Sequence, residues 1–381
     1  MTLLIPTGVV EYNARMFKIG TLLLIGIVLP LSCNSVPRFS PSSESLLPTS
    51  PVAPRKEIRI LTINVWSGLT YKGFFKMGQY PDDLQKRYDL LVEEARRLDP
   101  DIIAIQEANP LPEYAKRLAA DLNYSVAYRV ALGGIRFGPV GIPTNLREGD
   151  VLLVKKPWII GDLGRKRLSG SGIATNWFCF QLGDATQAIG GRVMIESRPL
   201  YVYTVHLHSG PFPGSTLDKS VERLAQEISK EEVEKARSGV ERDVEQRRSE
   251  LATLLKYIDE TLPTGMPAIL LGDFNTSAES GELDPLLASG KWEDTFRLMN
   301  PHDEGATWDP SHNTNFRQKL GTSTPYDRLC ASHERHPSRI DFIFVNAAIP
   351  HDHILESRVV MTPVGGFSPS DHYGVFTVIR W

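Results

Sequence analysis

The feature that most constrains this fold is a series of short, β-branched apolar runs, spread from residue 57 to the C-terminus, several of which end on a polar or ionisable residue. Residues 57–65 (EIRILTINV) alternate and read as a strand, as do 102–106, 151–155, 177–181, 200–206, 268–271, 340–345 and 373–379. Between the first two, residues 84–98 place Leu84, Tyr88, Leu91, Val92, Ala95 and Leu98 at helical spacing, and Asp99-Pro100 ends that helix. A second helix is expected over 113–122. Strands distributed along the whole chain with few helices between them predict two sheets packed face to face, with helices outside.

Composition narrows the class. Of 381 residues, 41% are hydrophobic and 23% charged, as in a soluble globular chain. The formal net charge of −3 argues against a strongly basic nucleic-acid binder. The cysteine content is too low for a disulfide framework and forms no CxxC zinc pattern; Cys179 and Cys330 are either a disulfide in an exported chain or two buried thiols. Lys18 precedes an uncharged apolar run over 19–31, followed by Ser32 and Cys33, so residues 1–33 read as an export signal. Cys33 resembles the lipidated cysteine of bacterial lipoproteins; the alternative is an ordinary signal with a chance cysteine. The chain is therefore expected to be exported, either lipid-anchored or secreted. Residues 34–55, rich in Ser and Pro, read as a linker, leaving 56–381 as one domain. Within it, 216–261 is a charged helical insertion with a sparse apolar stripe, expected to break into two helices at Gly239.

The polar residues that close the apolar runs carry the chemistry. Asn64 ends the first strand, Glu107 the second and His206 a middle one; Asp273 and Asn275 follow AILL, Asp341 lies in RIDF, and Asp371-His372 open the last strand. Glu107, Asp273 and Asp371, with Asn64 and Asn275, offer hard oxygen ligands suited to magnesium or manganese. The two histidines can carry a proton near neutral pH. Each residue also has a structural reading: Asn64 as a turn former, Glu107 as a helix cap, Asp341 paired with Arg339, His372 packed in the core. Their ordered recurrence favours a shared site.

The motifs LTINVW, IQEA, VHL, GDFN, RIDF and SDH, in that order over 57–381, resemble the endonuclease/exonuclease/phosphatase (DNase-I-like) superfamily. The resemblance implies a four-layered α/β sandwich, two mixed sheets flanked by helices, that hydrolyses phosphoesters with Mg2+ or Mn2+. It implies Glu107 as main metal ligand with Asn64 nearby and Asp371 on the metal side. Asp273 and Asn275 would hold the attacking water or phosphate oxygens and His206 the phosphate. His372 would be general base or electrostatic partner, oriented by Asp341. VHLHSG resembles a stretch of neutral sphingomyelinases, and an anchored enzyme without positive charge suits a phospholipid substrate. ATWDPSHNTN instead resembles the tyrosyl-DNA phosphodiesterase branch, with Trp308 and Asn313 as substrate contacts, so an extracytoplasmic nuclease is the alternative; a non-catalytic surface binding protein is the third. Phe137 and Ile142 are candidate lipid contacts or surface-loop residues, and no protein partner is expected.

Overall fold

The computed structural model describes residues 56–70, 76–79, 84–316 and 324–381. The expected export signal (1–33, with Cys33) and linker (34–55) lie outside the described residues.

Two six-stranded sheets carry the fold. The first runs Ile354–Val360, Gly374–Arg380, Glu57–Asn64, Ile102–Ala108, Glu148–Lys155, Tyr124–Leu132; the second runs Trp292–Asp294, Asp341–Asn346, Ala268–Asp273, Arg198–His206, Gln187–Ile195, Ile160–Arg167. The central pair of each sheet is parallel, and the flanking pairs are antiparallel. Parallel neighbours finish at the same edge, so Asn64 pairs with Gln106 and His206 with Asp273. Asp341 begins its antiparallel strand opposite Asp273. Strand polarity thereby collects the polar ends on one rim.

The apolar runs are continuous because the central strands are covered on both faces. Ile58, Ile60, Ile102 and Leu152 meet Val202, Ile269, Leu271 and Ile343 between the sheets. Outside the first sheet, Leu61, Ile63, Ile105 and Leu153 pack under the helices Leu84–Leu98 and Glu113–Leu122. Outside the second, Tyr203, Val205, Leu270 and Phe342 pack under the helix Lys230–Thr261. Each fully buried Leu or Ile contributes about 1.5–3 kcal/mol. The result is the expected four-layered sandwich. Among the described residues, no helix is long and apolar enough to cross a membrane.

The structure departs from the sequence expectations at several points. The insertion does form two helices, Ser215–Leu224 and Lys230–Thr261, but the break precedes Ser229 rather than falling at Gly239. Ser229 and Glu232 form a reciprocal capping box that starts the longer helix. Gly239 sits inside that helix, and a Cβ there would stand 2.2 Å from Cδ2 of Tyr326. The glycine admits a ring instead of ending a helix. Strands at Tyr124–Leu132, Ile160–Arg167 and Gln187–Ile195 escaped the pattern because their polar, charged or glycine-bearing sequences lack a clean apolar period. The expected strand at 177–181 joins neither main sheet; Phe178–Phe180 belongs to a small sheet ordered Ile173–Ala174, Phe178–Phe180, Ile135–Phe137, Val140–Ile142. Cys179 and Cys330 are buried thiols, not joined in a disulfide. Cys179 packs in the core of the first sheet, and Cys330 lies on the helix Pro325–His333, which packs on the helical layer beyond the second sheet. Of the two readings of this pair, the structure selects the buried thiols.

Candidate active site

The rim is built outward from Asn64. Its side chain is 1% exposed, and its Nδ2 donates to Glu107 Oε1 (3.1 Å) and to Asp273 Oδ2 (2.9 Å), joining the two sheets. Its Oδ1 accepts the Trp66 amide at 2.9 Å. Glu107 has φ +57° and lies where the pairing with the strand Glu148–Lys155 shifts register between Ile105 and Ala108. A bulge of this kind re-aims a side chain, here toward the rim. Glu107 Oε2 accepts the amide (3.1 Å) and hydroxyl (3.3 Å) of Ser67.

Across the rim, Asp341 is fully buried and its Oδ2 lies 2.9 Å from His372 Nδ1. Arg339, the alternative partner of Asp341, pairs instead with Asp294 at 2.7 Å. The backbone amide of Asp341 donates to Thr307 Oγ1, which the sequence did not single out. The other imidazole nitrogen of His372 lies 3.9 Å from Asp273 Oδ2, and His206 Nε2 lies 3.6 Å from the same oxygen. Asp273 Oδ2 is thus the point on which both histidines and Asn64 converge. Ligand atoms of Asp273, Asp341 and His372 fall within 4.8 Å of one another, but the Nδ1 of His372 is already engaged by Asp341, so this trio reads as a proton-handling group.

The electrostatics divide the rim into two halves. Burial alone would discharge His372, yet Asp341 and Asp273 overcome it and hold the ring well above the ordinary histidine range. His206 is raised likewise, against burial, by Asp273 and Glu107. Burial and then the Asp341 charge raise Asp273. Glu107 is pushed up by burial, but His206 and hydrogen bonds from Asn64 and Ser67 outweigh this and leave it lowered. Burial and then the Glu107 charge push Glu148 up to about 8, and burial raises Asp371 to about 7 with Glu107 adding to the rise. Glu107, Glu148 and Asp371 therefore form a set of carboxylates in which Glu107 disfavours the charge of the other two. That is a donor set a hard divalent cation would relieve, and these residues fit one. Glu148 was missed because it opens a strand too irregular at its start to read.

The remaining expected residues fall nearby. Asn275, with φ +51°, donates its amide to Asp273 Oδ1 (2.9 Å) and its Nδ2 to the Leu207 carbonyl (2.8 Å). Trp308 faces the His372 ring at 5.1 Å, and its Nε1 is tied to the Glu334 carbonyl at 2.8 Å. Asn313 is 5% exposed and donates to the carbonyls of Ser370 (3.0 Å) and Asp371 (2.9 Å). The structure thus uses the Asn313 amide to hold the Asp371-His372 loop beside the rim.

The sequence profile of the endonuclease/exonuclease/phosphatase family matches residues 61–372. No match was found among curated proteins. Among solved structures, D. rerio TDP2 complexed with single-strand DNA product aligns with a TM-score of 0.54 at 16% identity, over 86% of this chain and 100% of that one. TDP2 from C. elegans aligns with a TM-score of 0.53 at 14% identity, over 85% of this chain and 75% of that one. A family protein from Bacteroides thetaiotaomicron gives 0.50 at 16% identity, over 85% and 98%. At such identities the likeness is one of fold, and it is the DNase-I-like sandwich.

Proposed function

The chain belongs to the endonuclease/exonuclease/phosphatase family, and from that premise we propose that it is a metal-dependent phosphodiesterase that hydrolyses a phospholipid by water attack in the manner of a phospholipase C. Family members hydrolyse phosphoester bonds with a divalent metal. The observation that carries the reading is the convergence of Asn64, His206 and His372 on Asp273 Oδ2, beside the Glu107–Glu148–Asp371 carboxylates.

Glu107 and Asp371, with Glu148, are the residues that would hold Mg2+ or Mn2+. When bound, the ion neutralises phosphate charge and stabilises the leaving oxygen. The chain's own groups divide the rest. Asp273, a raised carboxyl at the focus of the rim, takes the proton of the attacking water. His372, kept protonated by Asp341, opposes the growing negative charge on phosphate, and His206 does the same from the other side. Asn64 and Asn275 fix the orientation of the Asp273 carboxylate.

A phospholipid is favoured by the slightly negative chain and by the expected export and lipid anchoring at Cys33, since nucleic-acid binding draws on several Lys or Arg contacts. The D. rerio TDP2 complex with a DNA product supports nucleic acid as the second reading. The test is release of phosphocholine from sphingomyelin vesicles against cleavage of single-stranded and plasmid DNA, each with magnesium and then with EDTA. Magnesium-dependent phosphocholine release is expected; DNA cleavage without lipid turnover would transfer the reading to a nuclease, and activity in EDTA would overturn both.

A further inference from the structure

The small sheet beside the rim shows solvent an apolar face. Its pairings set Phe137 opposite Phe178 and Val140, and Ile135 opposite Phe180 and Ile142. The alternation sends these side chains to one face while Arg136 and Cys179 point to the other. Phe137 is 61% exposed, Val140 75%, Trp177 58% and Phe180 50%. Scattered exposed apolar residues are ordinary, but a contiguous set marks a binding surface.

The display is built. Arg136 is 3% exposed and donates beneath the hairpin to the carbonyls of Pro139, Pro143, Thr144 and Leu146 at 2.9–3.2 Å. The Phe137 and Trp177 rings lie 4.0 Å apart, and the Gly138 amide donates to the Trp177 carbonyl. The two halves of the patch are therefore locked together.

Its charge identifies the occupant. Across residues 133–146 the sole charged side chain is the buried Arg136, and residues 169–183 carry none. The arginines beside the sheet, Arg165 and Arg167, donate to the Ala174 and Gly172 carbonyls at its edge, so the apolar face itself offers a nucleic acid no cation for its phosphates. Uncharged Trp, Phe, Ile and Val side chains match the boundary between lipid headgroups and acyl chains. The location also fits. Leu132 pairs with Glu148, and Gly149 with Ala108 next to Glu107, so the chain enters this sheet at the catalytic rim. Residue 56 lies at the far end of the first strand, about 27 Å from the rim at ~3.3 Å per residue. A stretch the length of residues 34–55 spans at most about 80 Å, so an anchor at Cys33 permits the rim to face the same membrane.

We propose that this sheet docks the enzyme on a zwitterionic phospholipid surface and delivers headgroups to the Glu107–His372 rim. This rests on the phospholipid reading of the site. The test uses the full chain in EDTA with phosphatidylcholine vesicles carrying brominated acyl chains, which quench tryptophan only at the lipid boundary. Trp177 is the exposed tryptophan, the others being buried or half-buried. Quenching is expected, with most of it lost in Trp177→Phe. The doubly substituted Phe137→Ser/Val140→Ser should lower turnover of vesicle sphingomyelin at least ~10-fold, while hydrolysis of soluble bis(p-nitrophenyl) phosphate is unchanged. Absence of quenching, an equal loss on both substrates, a loss confined to single-stranded DNA, or a dimer that the double variant dissociates would each overturn the docking role. Because quenching is read without turnover, an inactive enzyme would sink the proposed function and leave docking to be judged separately.

Discussion

Two clusters of buried charge flank the second sheet, and they balance it in opposite ways. Beneath the long helix, Arg247 is 1% exposed and donates to Glu282 from Nε (2.8 Å) and Nη2 (3.0 Å), and to the carbonyls of His208, Gly210 and Pro211. Asp243 there accepts from Tyr326 and lies 3.1 Å from His208 Nε2. Among Arg247, Glu282, Asp243 and Tyr326, donors and acceptors are matched. At the rim, carboxylates face carboxylates, and one buried oxygen, Asp341 Oδ1, has no hydrogen-bond partner among the described residues. A cluster that serves packing closes its hydrogen bonds within the protein; one that serves chemistry leaves charge for a cation and a substrate to complete.

Substitutions in the two clusters should therefore act on different quantities. The largest effect is expected for Glu107→Gln, which keeps shape but removes a charge from the cation set. Turnover should fall more than about 10⁴-fold, the scale of losing several kcal/mol of charge stabilisation. The melting temperature in chelator should not change, and the magnesium-induced rise in it should vanish; an unaltered magnesium response would place the cation elsewhere.

His372→Ala comes next, with a turnover loss of about 10²–10³, the scale of losing one electrostatic stabiliser. Asp341→Asn should cost less, and the double variant should be little worse than His372→Ala, because the two act as a unit. Because Asp341 and Asp273 raise His372, activity needing the imidazolium should persist to higher pH than an ordinary histidine allows and decline as pH rises through the raised pKa. In Asp341→Asn that decline in kcat/KM should move to lower pH. Additive losses, or an unmoved alkaline limb, would dissolve the pair.

In the balanced cluster, Arg247→Ala should instead act on folding. It strands Glu282 as a buried charge, at a cost of about 3–5 kcal/mol in urea unfolding, with kcat per folded molecule unchanged. A catalytic loss without destabilisation would erase the distinction between the clusters.

The smallest effect concerns His333, 7% exposed, which burial and then the Arg247 charge lower from 6.5 to about 4. Between these values the unfolded chain binds a proton that the native ring refuses. The contribution is complete above the ordinary pKa and is lost as pH falls toward the folded one, roughly 2 kcal/mol of it by pH 5. His333→Phe should flatten the stability difference between pH 7 and pH 5; parallel curves for the two proteins would show that the ring does not titrate this way.

Much of this was legible in the chain. The runs ending at Asn64, Glu107, His206 and Asp273 announce both a strand and a polar terminus, because burial on two faces demands local apolar continuity and the rim permits its interruption. The irregular edge strands were not legible, nor was Glu148, whose significance comes from facing Glu107 across a bulge. Reasoning from helix propensity fails at Gly239 for the same reason. Propensity describes the chain alone, whereas the Tyr326 ring that fills the space comes from a helix distant in sequence.

By itself, then, the sequence determined the layered class of the fold, the strands of its centre and the polar residues that close them. These follow from local hydrophobic pattern, which any folded arrangement of the chain must respect. The tertiary structure alone decided that Asp341 faces His372 while Arg339 turns to Asp294, and that Asn64 bridges Glu107 and Asp273. It also decided that the apolar residues of the small sheet face solvent rather than the core. Those outcomes depend on sheet register and strand polarity, which bring together side chains far apart in the chain, and no local pattern records them.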